Sequence, residues 1–570
     1  MSLASLAIRI LSSQSAKRFE TATGDPVATQ QDKLLHLMQK NAGTEYGQRY
    51  GFGSIRTFDD YRRKVPVITY ENIKDDMQRV VSGAKNIFTA EPPVMFAQTS
   101  GTTGDPKYIP VTPTCQGSEH KDVMRTWISH ALKAHPDMFA GQVVTLVSPA
   151  VEGHTPSGMP YGSTSGHMYK NQPGLVRRIY AIPYEVYQIE DYAAKYFAIM
   201  RTALEMDIRF LATANPSSIL KLCEKADEYA EHIIRDIHDG TLSTEFSIEP
   251  AIRKVLSQGY RPNPRMAKQL EKARSKRGSS LLPADYWPRL SLIGCWKGGT
   301  VGHYLEKFPA WFDPEGRRPI PVRDWGYLAS EARGSIPLTD EGSAGVLTVA
   351  SNVFEFVPVA DLEAHPDDRA QWPFLHIGEL EEGQEYYIFF TTTGGLYRYD
   401  INDVIKVVGY YNRTPQIVFL RKGRGMTNLT GEKVSVNQVI TVMQKASQAT
   451  GAVVDHFRAE ADINTSRYLF RVEFATRTDE TTRKTFLKLI DEELKRINIE
   501  YKTKRDSLRL DAPIMHVMKE GWYERGRQQQ VAAGMRAFQA KTQLLSPVKE
   551  ETVIVKPELE AVIAMDDPRA

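Results

Sequence analysis

The chain has few cysteines for its length and almost no surplus of charge. Three cysteines, Cys115, Cys223 and Cys295, occur in 570 residues, and no C-x-x-C pair is present to bind zinc or begin a disulfide framework. The formal net charge is +3, from 72 basic and 69 acidic residues, which argues against nucleic acid or an anionic membrane as partner. We therefore expect a cytoplasmic protein in a reducing environment that acts on small molecules.

Long apolar runs are also missing. No run approaches the roughly 18 residues that indicate a membrane-spanning helix. The N-terminal stretch MSLASLAIRILSSQSAKRFE has no acidic residue before its last position and is mildly amphipathic, which is compatible with a transit peptide. However, Arg9 interrupts any secretory-type apolar core, and the helical pattern continues into a second stretch. We favour an ordinary first helix.

The length and the periodicity predict more than one domain. A chain of 570 residues exceeds the roughly 250–300 residues at which a single core stops growing. Apolar runs at 143–147 and 290–296 read as buried strands, and they alternate with helical patterns at 32–40 and 215–240, the second of which reads as one long helix. This alternation predicts an α/β fold with a large, layered N-terminal domain.

The pattern changes after Gly342, where short β-rich runs predict an antiparallel part of the same domain. These runs are 344–350, 354–359, 386–392, 396–399, 404–411 and 416–421. A helix-rich segment with a hairpin-like pair at 453–459 and 468–475 follows. We therefore predict an N-terminal domain over 1–422 and a smaller, mobile α+β C-terminal domain over 423–570, with a hinge at 421–425.

One polar loop, FAQTSGTTGDPKY at 96–108, is nearly a Walker phosphate loop. From Gly101 the spacing fits G-x-x-x-x-G-K-[ST], but Pro106 replaces the second glycine and Tyr108 replaces the serine or threonine. Apolar residues on both sides predict strand, turn, strand. Taken alone, the loop is as compatible with a flexible polar turn as with a polyphosphate site.

Two further segments carry carboxylates at positions that suit a nucleotide. Glu331 ends a stretch that follows a strand, where it could hold a metal ion, while Gly326 and Ala329 leave room for a flat ring. Asp403 could accept two hydrogen bonds from a ribose diol, although a turn cap or an ion pair with Arg398 would explain it as well.

The ordered series TSGTTGDPK, YLASE, YRYDINDV, GR and GEKV resembles the adenylate-forming superfamily, and within it the auxin-responsive family of acyl acid amido synthetases. The resemblance covers essentially the whole chain. It implies that ATP and Mg²⁺ are required and that the substrates are a small carboxylic acid and an amine, with an amino acid as the expected amine. The acid attacks the α-phosphate of ATP to form an acyl adenylate, and the amine then displaces AMP.

The resemblance also implies roles for individual residues. The β- and γ-phosphates would be bound by Thr99, Ser100, Gly101, Thr102 and Thr103, with Lys107 as supporting charge. Adenine and the reacting carboxylate would contact Tyr327, Leu328, Ala329 and Ser330. Glu331 would hold Mg²⁺, Asp403 the ribose, and Arg424 and Lys433 would lie at or beside the hinge.

The chain departs from the family pattern near its C-terminus. The family has a lysine there, in a Q-x-K-T-P-R-like segment, that reaches the phosphate. Lys541 follows Gln539 at the right distance but lacks the proline, whereas the segment that ends in Pro547 has Leu545 in place of the lysine. Lys541 is the first candidate for this role and Lys549 the second.

The acyl pocket is expected around residues 153–169, with Gly162, Ser163, His167 and Trp296 as substrate contacts. We assign no general-base role to His154 or His167, because an isolated histidine is more often a packing residue. Two alternatives remain open at this point. One is an acid:thiol ligase in which coenzyme A or a carrier thiol takes the second step, and the other is a nucleotide-binding protein without catalysis.

Overall fold

The computed structural model describes residues 3–99, 107–366, 368–526, 544–547, 549 and 558–565. Two compact units are present, one formed by Met1–Gln98 and Tyr108–Leu420, the other by Thr99–Lys107 and Arg421–Ala570. None of the helices in the described part of the chain combines the length and the apolar composition needed to cross a lipid bilayer.

The helices of the first unit lie mostly before residue 320. They are α1 (Leu3–Gly24), α2 (Pro26–Asn41), α3 (Glu45–Arg49), α4 (Phe58–Lys64), α5 (Tyr70–Val81), α6 (Asp122–Ala134), α7 (Thr164–Lys170), α8 (Gly174–Arg177), α9 (Tyr192–Ala203), α10 (Pro216–Glu228), α11 (Ala230–Asp239), α12 (Pro250–Gly259), α13 (Pro264–Lys276), α14 (Pro283–Tyr286), α15 (Phe308–Phe312) and α16 (Val359–Ala364). A π-helical turn, Cys115–Lys121, runs directly into α6.

The strands of the first unit form three sheets. They are β1 (Met95–Thr99), β2 (Lys107–Val111), β3 (Gln142–Thr145), β4 (Gly153–His154), β5 (Pro160–Gly162), β6 (Ile208–Ala212), β7 (Leu292–Gly294), β8 (Val322–Arg323), β9 (Ser335–Ile336), β10 (Gly345–Leu347), β11 (Val353–Pro358), β12 (Glu385–Thr391), β13 (Tyr399–Tyr411) and β14 (Thr414–Lys422). The sheet orders are β3-β6-β7-β8, β2-β1-β5-β4 and β11-β12-β13-β14-β10-β9.

The sheet β3-β6-β7-β8 is parallel throughout. Its strands are buried, as the β-branched runs predict, and α9, α10 and α11 pack around it to form one continuous core. The prediction of one long helix over 215–240 is wrong, because the helix is broken at Tyr229, whose ψ is 15°. The Tyr229 ring packs against Phe246, with 4.9 Å between centroids. Periodicity misses the break because both halves bury their apolar faces in the same core.

The antiparallel part after Gly342 is confirmed, with one correction. The predicted runs 396–399 and 404–411 are not two strands, because a single strand, β13, extends from Tyr399 to Tyr411. Its register against β12 shifts between Ile388 and Phe389, which face Asp403 and Asp400, so that Ile401 and Asn402 form a bulge. Bulges re-aim the side chains beside them, and here the bulge immediately precedes Asp403.

The second unit is a small α+β structure with its own core. Its elements are β15 (Met426–Thr427), β16 (Val434–Ser435), α17 (Val436–Thr450), β17 (Val454–Asp462), β18 (Arg467–Phe474), α18 (Glu480–Ile497), α19 (Ile499–Asp506), β19 (Ile514–Met518), β20 (Leu545–Ser546) and β21 (Leu559–Ala564). The main sheet has the order β20-β17-β18-β19-β21. The predicted hairpin is confirmed, because β17 and β18 pair antiparallel from Val454 to Asp462.

Candidate active site

The polar loop lies between two neighbouring strands, as predicted. β1 ends at Thr99, β2 begins at Lys107, and the two are adjacent in their sheet. The backbone N–H of Tyr108 donates to the Tyr70 hydroxyl at 2.9 Å, which fixes the start of β2 to α5. Lys107 is partly buried. The predicted phosphate contacts Ser100, Gly101, Thr102 and Thr103, like the side chain of Thr99, lie outside the described residues.

The predicted substrate segment runs beside β1. β5 pairs in parallel with β1, with Ala97 opposite Gly162, so Gly162 and Ser163 lie at the end of the sheet where the loop begins. Ser163 caps α7 by accepting from the Gly166 N–H at 3.2 Å. His167 lies on α7, and its pKa is lowered by partial burial and by the charges of nearby lysines, which favours the neutral imidazole.

Gly162 occupies a position where no side chain fits. A Cβ at this residue would meet the carbonyl oxygen of Ala150 at 2.6 Å. We expect Gly162→Ala to lower the free energy of unfolding by about 1–3 kcal/mol, because the backbone must shift to relieve the contact. Gly174→Ala is the control, since nothing lies within 4 Å of a Cβ there. Equal urea midpoints for the two variants would contradict the steric account.

The segment that contains Glu331 is held at its base by Asp324. The Asp324 carboxylate accepts from the backbone N–H groups of Gly326 and Lys297, both at 2.5 Å. Burial raises the pKa of this carboxyl to about 6, although the backbone donors act in the opposite direction. Gly326 has a φ of +80°, and a Cβ would lie 2.3 Å from the Ser335 carbonyl oxygen. The turn at this point therefore requires glycine.

Residues 327–334 form a tight hairpin with Glu331 in its turn. The Gly334 N–H donates to the Tyr327 carbonyl at 2.7 Å, and the Ala329 N–H donates to the Ala332 carbonyl at 2.9 Å. Tyr327 is buried in the base of the hairpin, whereas the predicted contacts Leu328, Ala329, Ser330 and Glu331 are all partly exposed. The turn therefore offers the Ser330 hydroxyl and the Glu331 carboxylate at the surface of the unit.

A hydrogen bond joins this hairpin to the bulge in β13. The Tyr327 hydroxyl donates to Asp403 Oδ2 at 2.5 Å, and the Tyr327 ring lies parallel to Phe419 with 5.9 Å between centroids. The carboxylates of both Glu331 and Asp403 help to raise the pKa of the Tyr399 hydroxyl, after burial as the main cause. The structure thus brings together the two carboxylates that the sequence singles out.

Arg398 is occupied elsewhere, which removes one alternative for Asp403. Its guanidinium makes a bidentate pair with Glu355, at 2.8 and 3.1 Å, and donates to the carbonyls of Arg62 and Val65 at the end of α4. Both members of the pair are buried, and Arg62 also contacts Glu355 at 3.1 Å. Arg398 therefore forms its ion pair with Glu355 instead of with Asp403.

Trp296 lies outside this group, at the end of β7. Its backbone N–H donates to the Ala214 carbonyl at 2.9 Å, and its partly buried side chain packs against the core around the parallel sheet. Tyr327, at the base of the Glu331 hairpin, packs in a different core of the same unit.

The remaining predicted residues follow Leu420 in the sequence. Arg424 is partly buried and precedes β15. Lys433 Nζ pairs with Glu500 Oε1 at 3.3 Å. Lys541 lies outside the described residues, whereas Lys549 is held in an ion pair with Asp462, 2.6 Å from its carboxylate.

The sequence motifs do not include the buried residues that support the site. Glu355 lies outside them, although a carboxylate in the apolar strand Val353–Pro358 signals a buried charge that requires a partner. His120 lies outside them as well. It is buried in the π-helical turn and accepts from Arg333 Nε at 2.8 Å, and a turn of this kind leaves no clear mark in the periodicity.

Comparison with known proteins gives matches along most of the chain. The model of the GH3 family N-terminal domain matches residues 15–315, that of the central domain 345–422, and that of the C-terminal domain 437–550. Indole-3-acetic acid-amido synthetase GH3.10 of Arabidopsis thaliana is 24% identical over 78% of this chain and 80% of its own length.

Two further matches extend this comparison. Jasmonoyl--L-amino acid synthetase JAR6 of Nicotiana attenuata is 24% identical over 76% of this chain and 75% of its own. The solved structure of GH3.15 acyl acid amido synthetase superposes with a TM-score of 0.64 at 17% identity, covering 96% of each chain. The predicted fold is thereby confirmed.

Proposed function

The chain belongs to the GH3 family, and from this premise we propose that it is an ATP-dependent ligase, an acyl acid amido synthetase. In the first step a carboxylate oxygen of the acid attacks the α-phosphorus of ATP, and pyrophosphate leaves. In the second step the nitrogen of an amine, an amino acid in our proposal, attacks the acyl carbon, and AMP leaves with the electron pair of the broken C–O bond. Adenylation divides one difficult substitution into two easier ones.

The observation that carries this proposal is the hydrogen bond between Tyr327 and Asp403. It joins the segments YLASE and YRYDINDV, which are far apart in the chain, into one group with Glu331 at its surface. Asp403 would bind the ribose hydroxyls, because a carboxylate can accept from both members of a diol. Ser330 and Ala329 would contact the adenine and the reacting carboxylate.

Glu331 suits a magnesium ion. Its carboxylate is partly exposed in a turn, and Mg²⁺ binds proteins through one or two carboxylates together with substrate phosphates. When bound, the ion would neutralise charge on the departing pyrophosphate. The loop residues from Thr99 to Thr103 and Lys107 would contribute backbone N–H groups, hydroxyls and one positive charge at the same end of ATP.

We also propose that residues 423–570 move as a domain between the two steps, with Arg424 and Lys433 at or beside the hinge. A reducing, cytoplasmic setting completes the proposal. The three cysteines, all buried and all present as thiols, suit that setting.

The alternative to an amide-forming enzyme is an acid:thiol ligase. The names of the two relatives described above, an amido synthetase and a jasmonoyl-L-amino acid synthetase, favour the amide. Exchange of labelled pyrophosphate into ATP tests the first step, and we expect it to depend on the added carboxylic acid. Mass spectra of products formed with amino acids or with coenzyme A then distinguish amide from thioester. ATP binding without exchange for any acid in a broad panel would favour a binding protein.

The identity of the C-terminal lysine can be tested with a pair of variants. We expect Lys541→Ala to lower the exchange rate about 100-fold or more while ATP binding changes little, because a positioned cation acts mainly on the developing charge of the transition state. Lys549→Ala should keep the exchange rate, since Lys549 is already paired with Asp462. The reverse result would assign the role to Lys549.

A further inference from the structure

A second series of side-chain contacts, from Cys115 through His120 to Arg333, reaches the Glu331 hairpin. Cys115 and His120, both buried, lie in the π-helical turn, and His120 Nε2 is 3.2 Å from Cys115 Sγ. His120 Nδ1 accepts from Arg333 Nε at 2.8 Å. Arg333 follows Glu331 by two residues and forms an antiparallel bridge with Leu328. This series of contacts therefore ends at Arg333, on the segment that leads out of the Glu331 turn.

The hydrogen-bond partners of His120 determine which of its ring nitrogens carries the proton. An arginine side chain can only donate, so Nδ1 must be the unprotonated nitrogen and Nε2 carries the hydrogen that faces Cys115. Burial, together with the positive charge of Arg333, lowers the pKa of His120 to about 3. The imidazole is therefore a neutral acceptor with a fixed orientation at any pH at which the protein would work.

The π-helical turn itself is held in place by a neighbouring residue. Glu119, adjacent to His120 and also buried, accepts from Lys33 Nζ at 3.0 Å and from the Thr393 hydroxyl at 2.6 Å. These contacts tie the turn to α2 and to the end of β12. π-Helical turns are rare and occur frequently at functional sites, so a turn anchored in this way indicates that the direction of His120 matters.

We propose that His120 is a positioning residue for the metal-binding carboxylate. It holds the Arg333 side chain, two residues after Glu331 on the segment that leads out of the turn, so that the Glu331 carboxylate keeps the direction in which it receives a divalent cation with ATP. The Arg333 backbone has its own anchor, since its carbonyl accepts from Thr348 Oγ1 at 2.7 Å. The hydrogen bond to His120 fixes the Arg333 side chain, which the contact of Thr348 with the backbone would leave free to rotate. The proposal rests on the proposed function.

The test compares two nearly isosteric replacements. His120→Asn keeps an acceptor near the position of Nδ1, whereas His120→Leu fills a similar volume without one. Calorimetric titration with ATP, once with Mn²⁺ and once with EDTA, measures the gain in ATP affinity that the metal confers. We expect His120→Leu to reduce this gain about tenfold, the lower end of the range for residues that orient metal ligands, and to leave metal-free ATP affinity unchanged. His120→Asn should retain the gain.

His130→Leu is the matched control. His130 lies on α6, the helix that follows the π-helical turn, and its Nε2 is 3.9 Å from the carboxylate of Glu20. This variant should keep the full gain. Equal losses in His120→Leu and His120→Asn would overturn the positioning role in favour of packing. If His120→Leu does not fold, His120→Asn decides, and loss of the gain there overturns the proposal. A wild-type chain without acid-dependent pyrophosphate exchange would instead overturn the proposed function, and this inference with it.

Discussion

Replacement of Asp403 by alanine should lower kcat/KM for ATP in pyrophosphate exchange by roughly ten- to a hundredfold. This range corresponds to about 1.5–3 kcal/mol, the contribution of hydrogen bonds to a charged group. Asp403 is buried at the bulge of β13 and already accepts from the Tyr327 hydroxyl, so its direction is fixed before the nucleotide binds. Because the Asp403 side chain need not be ordered when ATP binds, little of the free energy of its hydrogen bonds to the ribose is lost to ordering.

Tyr327→Phe is the matched control for this prediction. It keeps the Asp403 carboxylate and removes only the group that orients it, so the loss in kcat/KM for ATP should be smaller, about two- to tenfold, as for one ordinary hydrogen bond. Isosteric Asp403→Asn should resemble alanine if charge is essential. An unchanged dependence on ATP in Asp403→Ala would remove the ribose assignment.

Breaking the buried pair of Arg398 and Glu355 should have the largest effect on stability. We expect Arg398→Ala to lower the free energy of unfolding by about 3–5 kcal/mol, because the Glu355 carboxylate is left buried without its bidentate partner. Arg398 and Glu355 are 4% and 2% exposed. The guanidinium also donates to two carbonyls at the end of α4, which lose a donor in the variant. Urea denaturation of the two proteins measures the difference.

The exposed ion pair of Arg79 and Glu45 offers a control with similar geometry. Its N–O distance is 2.9 Å, and both side chains are nearly half exposed. Solvent screens such a pair, so Arg79→Ala should leave the urea midpoint close to that of the wild type. If Arg398→Ala behaves in the same way, burial of the pair contributes little and the argument for Arg398 fails.

The elements around the candidate site could be predicted from the sequence more fully than its supporting contacts. The two strands on either side of the polar loop and the antiparallel part follow from turn residues and local pattern, whereas the roles given to Glu331 and Asp403 rest on the resemblance of their motifs to the family and stay predictions. The bulge before Asp403 does not follow from local pattern, because a register shift depends on the partner strand β12. The break at Tyr229 cannot be predicted from the sequence for a related reason, because it depends on how the Tyr229 ring packs in the core.

The buried partners mark the limit of this kind of prediction. Glu355 lies on β11, more than forty residues before Arg398, and Arg62 lies on helix α4, so nothing local links the three. The Tyr327 hydroxyl is a comparable case. Its motif predicts a residue near the nucleotide, whereas its hydrogen bond to Asp403 depends on how two distant segments pack.

The cluster of Arg62, Glu355 and Arg398 also constrains how this sequence can change over time. Two arginines, Arg398 buried and Arg62 partly exposed, share the buried Glu355 carboxylate, so losing Glu355 first would leave two neighbouring positive charges without this carboxylate. Losing either arginine first is the milder step, because one partner remains. We expect chains descended from this one to keep all three residues or to replace Arg62 first. The order in which these positions diverge is therefore set by charge balance inside the protein.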